Sequence, residues 1–104
     1  MAYKVVITTD AEENLEKFIL YLLVEKQNEQ AASNLLNDFD ETKEILSMVA
    51  PSLKLCDNPK LRKHGYRRIG FMYHRYFMLY RIEEDMVIVD NIFHELQDYE
   101  NHLS

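Results

Sequence analysis

Three β-rich segments, "YRRIGFMY", "YFMLYRI" and "MVIVDNIF", follow one another between residues 66 and 93 with only "HR" and "EED" between them. Connections this short cannot carry a parallel crossover, which needs a dozen or more residues, so the segments are confined to antiparallel hairpins. A three-stranded meander is the expected result. In its first segment, alternation places Ile69, Phe71 and Tyr73 on one face and Arg68, Gly70 and Met72 on the other. One face should pack on helices and the other should meet a ligand.

The helices are legible upstream. "YKVVIT" at 3 to 8 is β-branched and short, and "TTDAEE" after it offers two capping boxes, Thr9 with Glu12 or Asp10 with Glu13. Leu15, Phe18, Ile19 and Leu22 then recur at helical spacing, opposite Glu13, Glu16 and Lys17. After the polar stretch "EKQNEQ", Ala32, Leu35, Leu36, Phe39 and Leu46 mark a second amphipathic helix that Pro51 stops. The short linker predicts an antiparallel helix hairpin. Periodicity is lost from 52 to 65, punctuated by Pro59 and Gly65, which reads as a basic loop leading into the sheet. The tail "HELQDYENHLS" is polar and is expected to form a final turn or short helix. The fold class is therefore α+β: an N-terminal strand, a helix hairpin, a three-stranded meander and a short C-terminal helix.

A chain of 104 residues has room for one domain, spanning 1–104, and can bury a single core. Its longest apolar run, "FILYLLV", falls far short of the roughly 20 residues of a membrane span, and the N-terminus does not read as a signal peptide. A cytoplasmic protein with no membrane partner is expected. The lone Cys56 reads as a buried thiol.

Charge is distributed unevenly. The chain carries −6 overall, yet eight of its twelve Lys and Arg lie between Lys54 and Arg81 against the single acid Asp57. A local basic field attracts phosphate whatever the total charge. The segment "KLRKHGYRR" places Lys60, Arg62, Lys63, Arg67 and Arg68 beside His64 and Tyr66, the mixture of cations and an aromatic ring that nucleic-acid contacts use. The alternative is a solvated basic face balanced by acidic helices.

The order of elements, together with "YFMLYRIEEDMVIVDNIFHELQDYE", resembles the RelE/ParE superfamily of toxins from bacterial toxin–antitoxin pairs over nearly the whole chain. The resemblance rests on Tyr76, Leu79, Tyr80, Arg81 and Ile82, an acidic turn, an apolar strand, and then Phe93, His94, Asp98 and Tyr99. It implies a small toxin neutralised by a cognate antitoxin and acting in one of two ways. RelE-like members are endonucleases that cut mRNA on the ribosome, and ParE-like members poison DNA gyrase. A third possibility is a degenerate member that only binds antitoxin. Where many members carry basic residues, this chain has Phe77, Glu95, Leu96 and Gln97.

Metal-independent RNA cleavage needs a base for the 2′-hydroxyl, cations for the phosphate and an acid for the 5′-oxygen. His94 is the candidate acid or base, Arg68 and Arg75 are the candidate phosphate binders, and Tyr99 is a candidate for stacking or proton donation. Lys60, Arg62, Lys63, Tyr66, Arg67 and His74 are the candidate RNA-binding set. The bland readings are a His94 that ties the tail to the sheet and a Tyr99 that packs. The eight-residue spacing of the two His in "HELQDYENH" and the lack of a Cys or His pair elsewhere argue against a metal site, and no cofactor motif is present.

Overall fold

The computed structural model describes residues 2–97. Strand β1 (Lys4–Ile7) leads into α1 (Thr9–Leu20), which ends in a π-helical turn, Tyr21–Glu25; α2 (Glu29–Val49) returns and closes in a 3₁₀ turn, Ala50–Ser52. A short helix α3 (Pro59–Lys63) precedes β2 (Arg67–Gly70), β3 (Tyr76–Glu83) and β4 (Met86–His94). The strands form one sheet in the order β1-β4-β3-β2, antiparallel throughout the meander, with β1 parallel to β4. The expected strand, helix hairpin and meander are all present. The expected C-terminal helix lies outside the described residues, as does Tyr99.

The helix hairpin covers one sheet face. Leu35, Phe39 and Leu46 of α2 and Ala11 of α1 pack on Met78, Tyr80, Val87, Val89 and Ile92, with Leu15, Phe18 and Ile19 at the margin. Burial of this apolar set, at about 25 cal/mol per Å² removed from water, is the main force holding the layers together. Tyr80 is fully buried, and its hydroxyl donates to the Ala50 carbonyl at 2.7 Å, which satisfies both groups where α2 ends.

Helix α1 begins differently from either expected capping box. Thr8 is the N-cap: its Oγ1 accepts from Ala11 N–H at 3.2 Å while its hydroxyl donates to the Asp90 carbonyl at 3.0 Å. The cap sits one residue upstream because it serves the sheet as well as the helix. Asp90 is the extra residue of a β-bulge, for Leu79 pairs with Asn91 and Tyr80 pairs with Val89. Asn14 completes this seam, accepting from Ile92 N–H at 3.0 Å and from the Asn91 amide at 3.2 Å.

Two further expectations change. The stretch from 52 to 65 contains a helix: Asn58 caps α3 through its side chain, Pro59 occupies the first turn, and Gly65 leaves it at φ 78°. "NPKLRKHG" is therefore a helix with both of its ends written in, which the reading of Pro and Gly as plain loop punctuation missed. The first strand of the meander also ends early, at Gly70. Phe71 turns into the core as expected, but Tyr73 is 73% exposed, because buried Asp38 of α2 accepts from Met72 N–H at 3.0 Å and Tyr73 N–H at 2.9 Å and pulls the chain out of the strand.

Candidate functional site

The second sheet face is not open along its whole length. Cys56 and Leu61 cover Phe77, Leu79 and Phe93, with Tyr66 packed beside them. Arg68 lies over the Phe77 ring, its guanidinium carbon 3.8 Å from the ring centroid, so the phenyl ring holds the cation by its π-face. Beyond Tyr66, a cleft of about 590 Å³ is lined by Lys60, Leu61, His64, Tyr66 and Arg81. Lys60, Arg62, Lys63 and His64 are exposed around it.

The base of this cleft is a closed network. The Tyr66 hydroxyl donates to Asp90 Oδ2 at 2.8 Å and Arg81 Nε donates to the same oxygen at 2.9 Å, while the Arg81 guanidinium also pairs with Glu83. Burial, then the hydrogen bond and charge of Asp90, hold the Tyr66 phenol above its ordinary range. The hydrogen bond to Asp90 and the neighbouring carboxylates raise Arg81 against the opposing effect of burial. Arg67 is equally occupied, since its Nε donates to the Leu53 carbonyl at 2.7 Å. Of the basic segment, α3 therefore presents its charge outward, while Arg67 and Arg81 work within the fold.

His94 lies elsewhere. It pairs with Tyr76 at the end of β4, and the two rings meet edge to face, 5.0 Å between centroids. His74 is also near Tyr76, with 6.4 Å between ring centroids, and Phe18 packs against the same ring at 4.6 Å. Burial, with a smaller contribution from Tyr21, raises the Tyr76 phenol above its ordinary range and keeps it neutral. Between the two imidazoles in sequence is Arg75, exposed, its carbonyl accepting from Glu95 N–H at 2.9 Å. Among the described residues its guanidinium makes no ion pair or hydrogen bond.

The structure thus brings His94, Arg75 and His74 to one end of the sheet and sets Arg68 apart from them. In β3, Phe77 and Leu79 face away from the helices while Tyr76, Met78 and Tyr80 face them. Arg68 goes with Phe77, and His94 goes with Tyr76. Arg68 therefore lies on the opposite face from His94, and Arg75 is tied to the end of β4 through its backbone carbonyl. His74, grouped in sequence with the basic loop, sits on the helix side with its Nδ1 2.6 Å from Asp38 Oδ2. Sequence reading missed Asp38, although its place among Leu35, Phe39, Thr42 and Leu46 on the buried stripe of α2 was a signal: a carboxylate there requires partners.

A third feature is apolar. Ile7, Leu15, Ile19, Leu20, Leu36 and Phe39 line a groove of about 400 Å³ between α1 and α2, rimmed by Glu12, Glu16 and Lys43. Leu20 is 48% exposed and Leu36 is 43% exposed.

Among the solved structures that share this architecture are two from toxin–antitoxin systems. One, a toxin–antitoxin structure described as the chromosomal ParDE system of P. aeruginosa, superposes with a TM-score of 0.70 at 16% identity, covering 89% of this chain and 96% of that one. The other, the RelBE2 toxin–antitoxin complex of Mycobacterium tuberculosis, gives a TM-score of 0.60 at 21% identity, covering 90% and 99%. Among curated proteins no sequence matches at a significant level. The sequence profile described as "ParE toxin of type II toxin-antitoxin system, parDE" matches residues 5–99, nearly the whole chain, and with the shared architecture it establishes that the chain belongs to the ParE toxin family, within the RelE/ParE superfamily.

Proposed function

We propose that the protein inhibits growth by cutting mRNA on the ribosome without a metal ion. The observation that supports this reading is the grouping of His94 and His74 beside Tyr76, with the exposed Arg75 between them in sequence, at one end of the sheet. These are the groups that cleavage of a phosphodiester by its own 2′-hydroxyl requires: a group that can take and return a proton and a fixed cation for the charge building on phosphorus. The α3 cations, Lys60, Arg62 and Lys63, would add contacts to RNA or ribosome from the other face.

A cognate antitoxin is the proposed inhibitor, and the apolar groove between α1 and α2 is the surface it would cover. Leu20 and Leu36 are half-exposed there without function in the monomer, and an amphipathic helix would bury them. Both superposed structures come from toxin–antitoxin pairs.

The alternative is a ParE-like poison that binds DNA gyrase and cuts nothing itself. Two observations favour it: the matching profile is that of ParE, and Arg68 packs on Phe77 away from His94. One pair of assays separates the readings. Purified toxin is added to ribosomes programmed with mRNA and, separately, to gyrase with supercoiled DNA. Site-specific transcript cleavage with unaffected gyrase is the expected result, and accumulation of gyrase–DNA cleavage complexes with intact transcripts would replace it with the poison reading.

A further inference from the structure

The two imidazoles beside Tyr76 are held in opposite states. His94 Nδ1 is 3.1 Å from Leu96 N–H, and a backbone N–H can only donate, so Nδ1 accepts and the neutral ring carries its proton on Nε2. His74 is reversed. Its Nδ1 is 2.6 Å from Asp38 Oδ2, the side chain of Asp38 is 1% exposed, and that carboxylate already accepts from Met72 N–H and Tyr73 N–H. Only a proton on Nδ1 completes this contact, so the neutral His74 ring has its lone pair on Nε2. His94 is built as a donor and His74 as an acceptor.

We propose that His74 is the general base of the cleavage reaction and that Asp38 is its positioning residue. This rests on the endoribonuclease reading above. His74 Nε2 takes the proton of the 2′-hydroxyl as the 2′-oxygen bonds to phosphorus. The bond from phosphorus to the 5′-oxygen breaks with its electron pair, and the proton held by His74 returns to that oxygen through a solvent water. The products are a 2′,3′-cyclic phosphate and a 5′-hydroxyl, with no net change in protons. Arg75, the neighbouring cation in sequence, stabilises the charge on the non-bridging oxygens.

The surroundings of His74 fit a single-stranded ribonucleotide. The ring is partly exposed at the edge of a cleft of about 400 Å³ lined by Asn34, Asn37, Asp38, Glu41 and Tyr73. Tyr73 is 73% exposed on a loop whose amides Asp38 fixes, which offers a platform for one unstacked base, and the two asparagine amides are placed to meet its polar edge. The charged and titratable groups near the ring are Asp38, Glu41, Tyr73, Arg75 and Tyr76. Glu41 is exposed on α2 and disfavours a phosphate inside the cleft, which directs the backbone toward Arg75.

The test uses the full chain on ribosomes programmed with mRNA. His74→Asn retains an N–H where Nδ1–H donates to Asp38 and removes the Nε2 base, so melting and ribosome affinity should match wild type while single-turnover cleavage falls about 10²- to 10⁴-fold. In His74→Ala, added imidazole should restore part of the rate, because it can occupy the vacated space beside Asp38. A His74→Asn protein that melts like wild type and cleaves within a few-fold of it would overturn the assignment. If His74→Asn melts early, the imidazole arm decides: restoration supports the base and its absence overturns it. Wild-type toxin that leaves every transcript intact would bring down the endoribonuclease reading itself, a result distinct from active wild type with active His74→Asn, which removes only the base.

Discussion

Tyr66 and Arg81 donate to the same oxygen of Asp90, at 2.8 and 2.9 Å, so that the Asp90 carboxylate neutralises the Arg81 guanidinium from within the fold. The exposed row on α3, Lys60, Arg62 and Lys63, faces solvent on that side of the sheet, where an outside polyanion can meet it. If these three neutralise phosphates of single-stranded RNA, each contributes about −0.7 to the slope of log affinity against log salt. Replacing all three by Gln should flatten the slope by about 2. Arg67→Gln should leave the slope alone and lower the melting temperature, because it removes the bond to the Leu53 carbonyl. A filter-binding series in 50 to about 300 mM salt measures both.

Asp38 is a stability hinge whatever its part in chemistry. It is 2% exposed and accepts from two backbone amides, from His74 and, at 3.4 Å, from Thr42. Asp38→Ala strands the Met72 and Tyr73 amides in a partly buried place and should cost about 2–4 kcal/mol. Asp38→Asn keeps one acceptor and should cost less. Urea unfolding of the two variants reads the difference. Equal stability of Asp38→Ala and wild type would show that the β2–β3 loop is held by other contacts.

Tyr80 sets an alkaline limit. Burial pushes its phenol from 10.0 to about 12. Below pH 10 the folded and unfolded states both keep the proton, and the stability is fully present. Above it the unfolded chain ionises first, so stability falls through the window from 10 to 12, by an amount on the order of 2–3 kcal/mol at about 1.4 kcal/mol per pH unit. Tyr80→Phe gives up the bond to the Ala50 carbonyl, costing about 1 kcal/mol at pH 8, but should flatten the alkaline decline. Denaturant midpoints between pH 8 and 12 for the two proteins provide the measurement. Parallel declines would assign the alkaline loss to Tyr66 and Tyr76, whose phenols are raised in the same direction.

The fold was legible where it depends on local periodicity and on connections too short for alternatives. Leu15, Phe18, Ile19 and Leu22, the stop at Pro51 and the short connection "EED", of which Glu83 joins β3, each leave little choice. The site was less legible because its bonds join distant positions. Asp38 reaches His74 across 36 residues, and Tyr66 reaches Asp90 across 24. Proximity in sequence suggested that Arg67, Arg68, His74 and Arg75 act as one basic group. The strand period of two distributes Arg67 and Arg68 between opposite faces, and the loop that Asp38 pulls out of register takes His74 and Arg75 to the end of the sheet. A cation count cannot show which guanidinium is committed to a carbonyl, as Arg67 is, and which makes no ion pair or hydrogen bond among the described residues, as with Arg75.

The last prediction concerns where the antitoxin lies. Charge alone directs an acidic partner segment to the basic sheet face, and protection of amides 66 to 82 from hydrogen exchange is then expected. The structure makes that face less available: Cys56 and Leu61 already cover Phe77, Leu79 and Phe93, and β3 is interior to the sheet with its amides paired. The groove between α1 and α2 is different. It exposes Leu20 and Leu36 and carries both signs of charge at its rim, Glu12 and Glu16 against Lys43, which suits an amphipathic helix flanked by charged residues. Leu36→Glu should therefore weaken antitoxin binding about 100-fold or more and leave the melting temperature within a few degrees of wild type, because a half-exposed side chain loses little on replacement. Lys60→Glu, on the other face, should change affinity little at 150 mM salt. The toxin of the Leu36→Glu variant should also escape neutralisation in cells while retaining its activity, which a surface needed for catalysis would not allow. Undiminished antitoxin binding by Leu36→Glu together with a loss in Lys60→Glu would return the interface to the basic face.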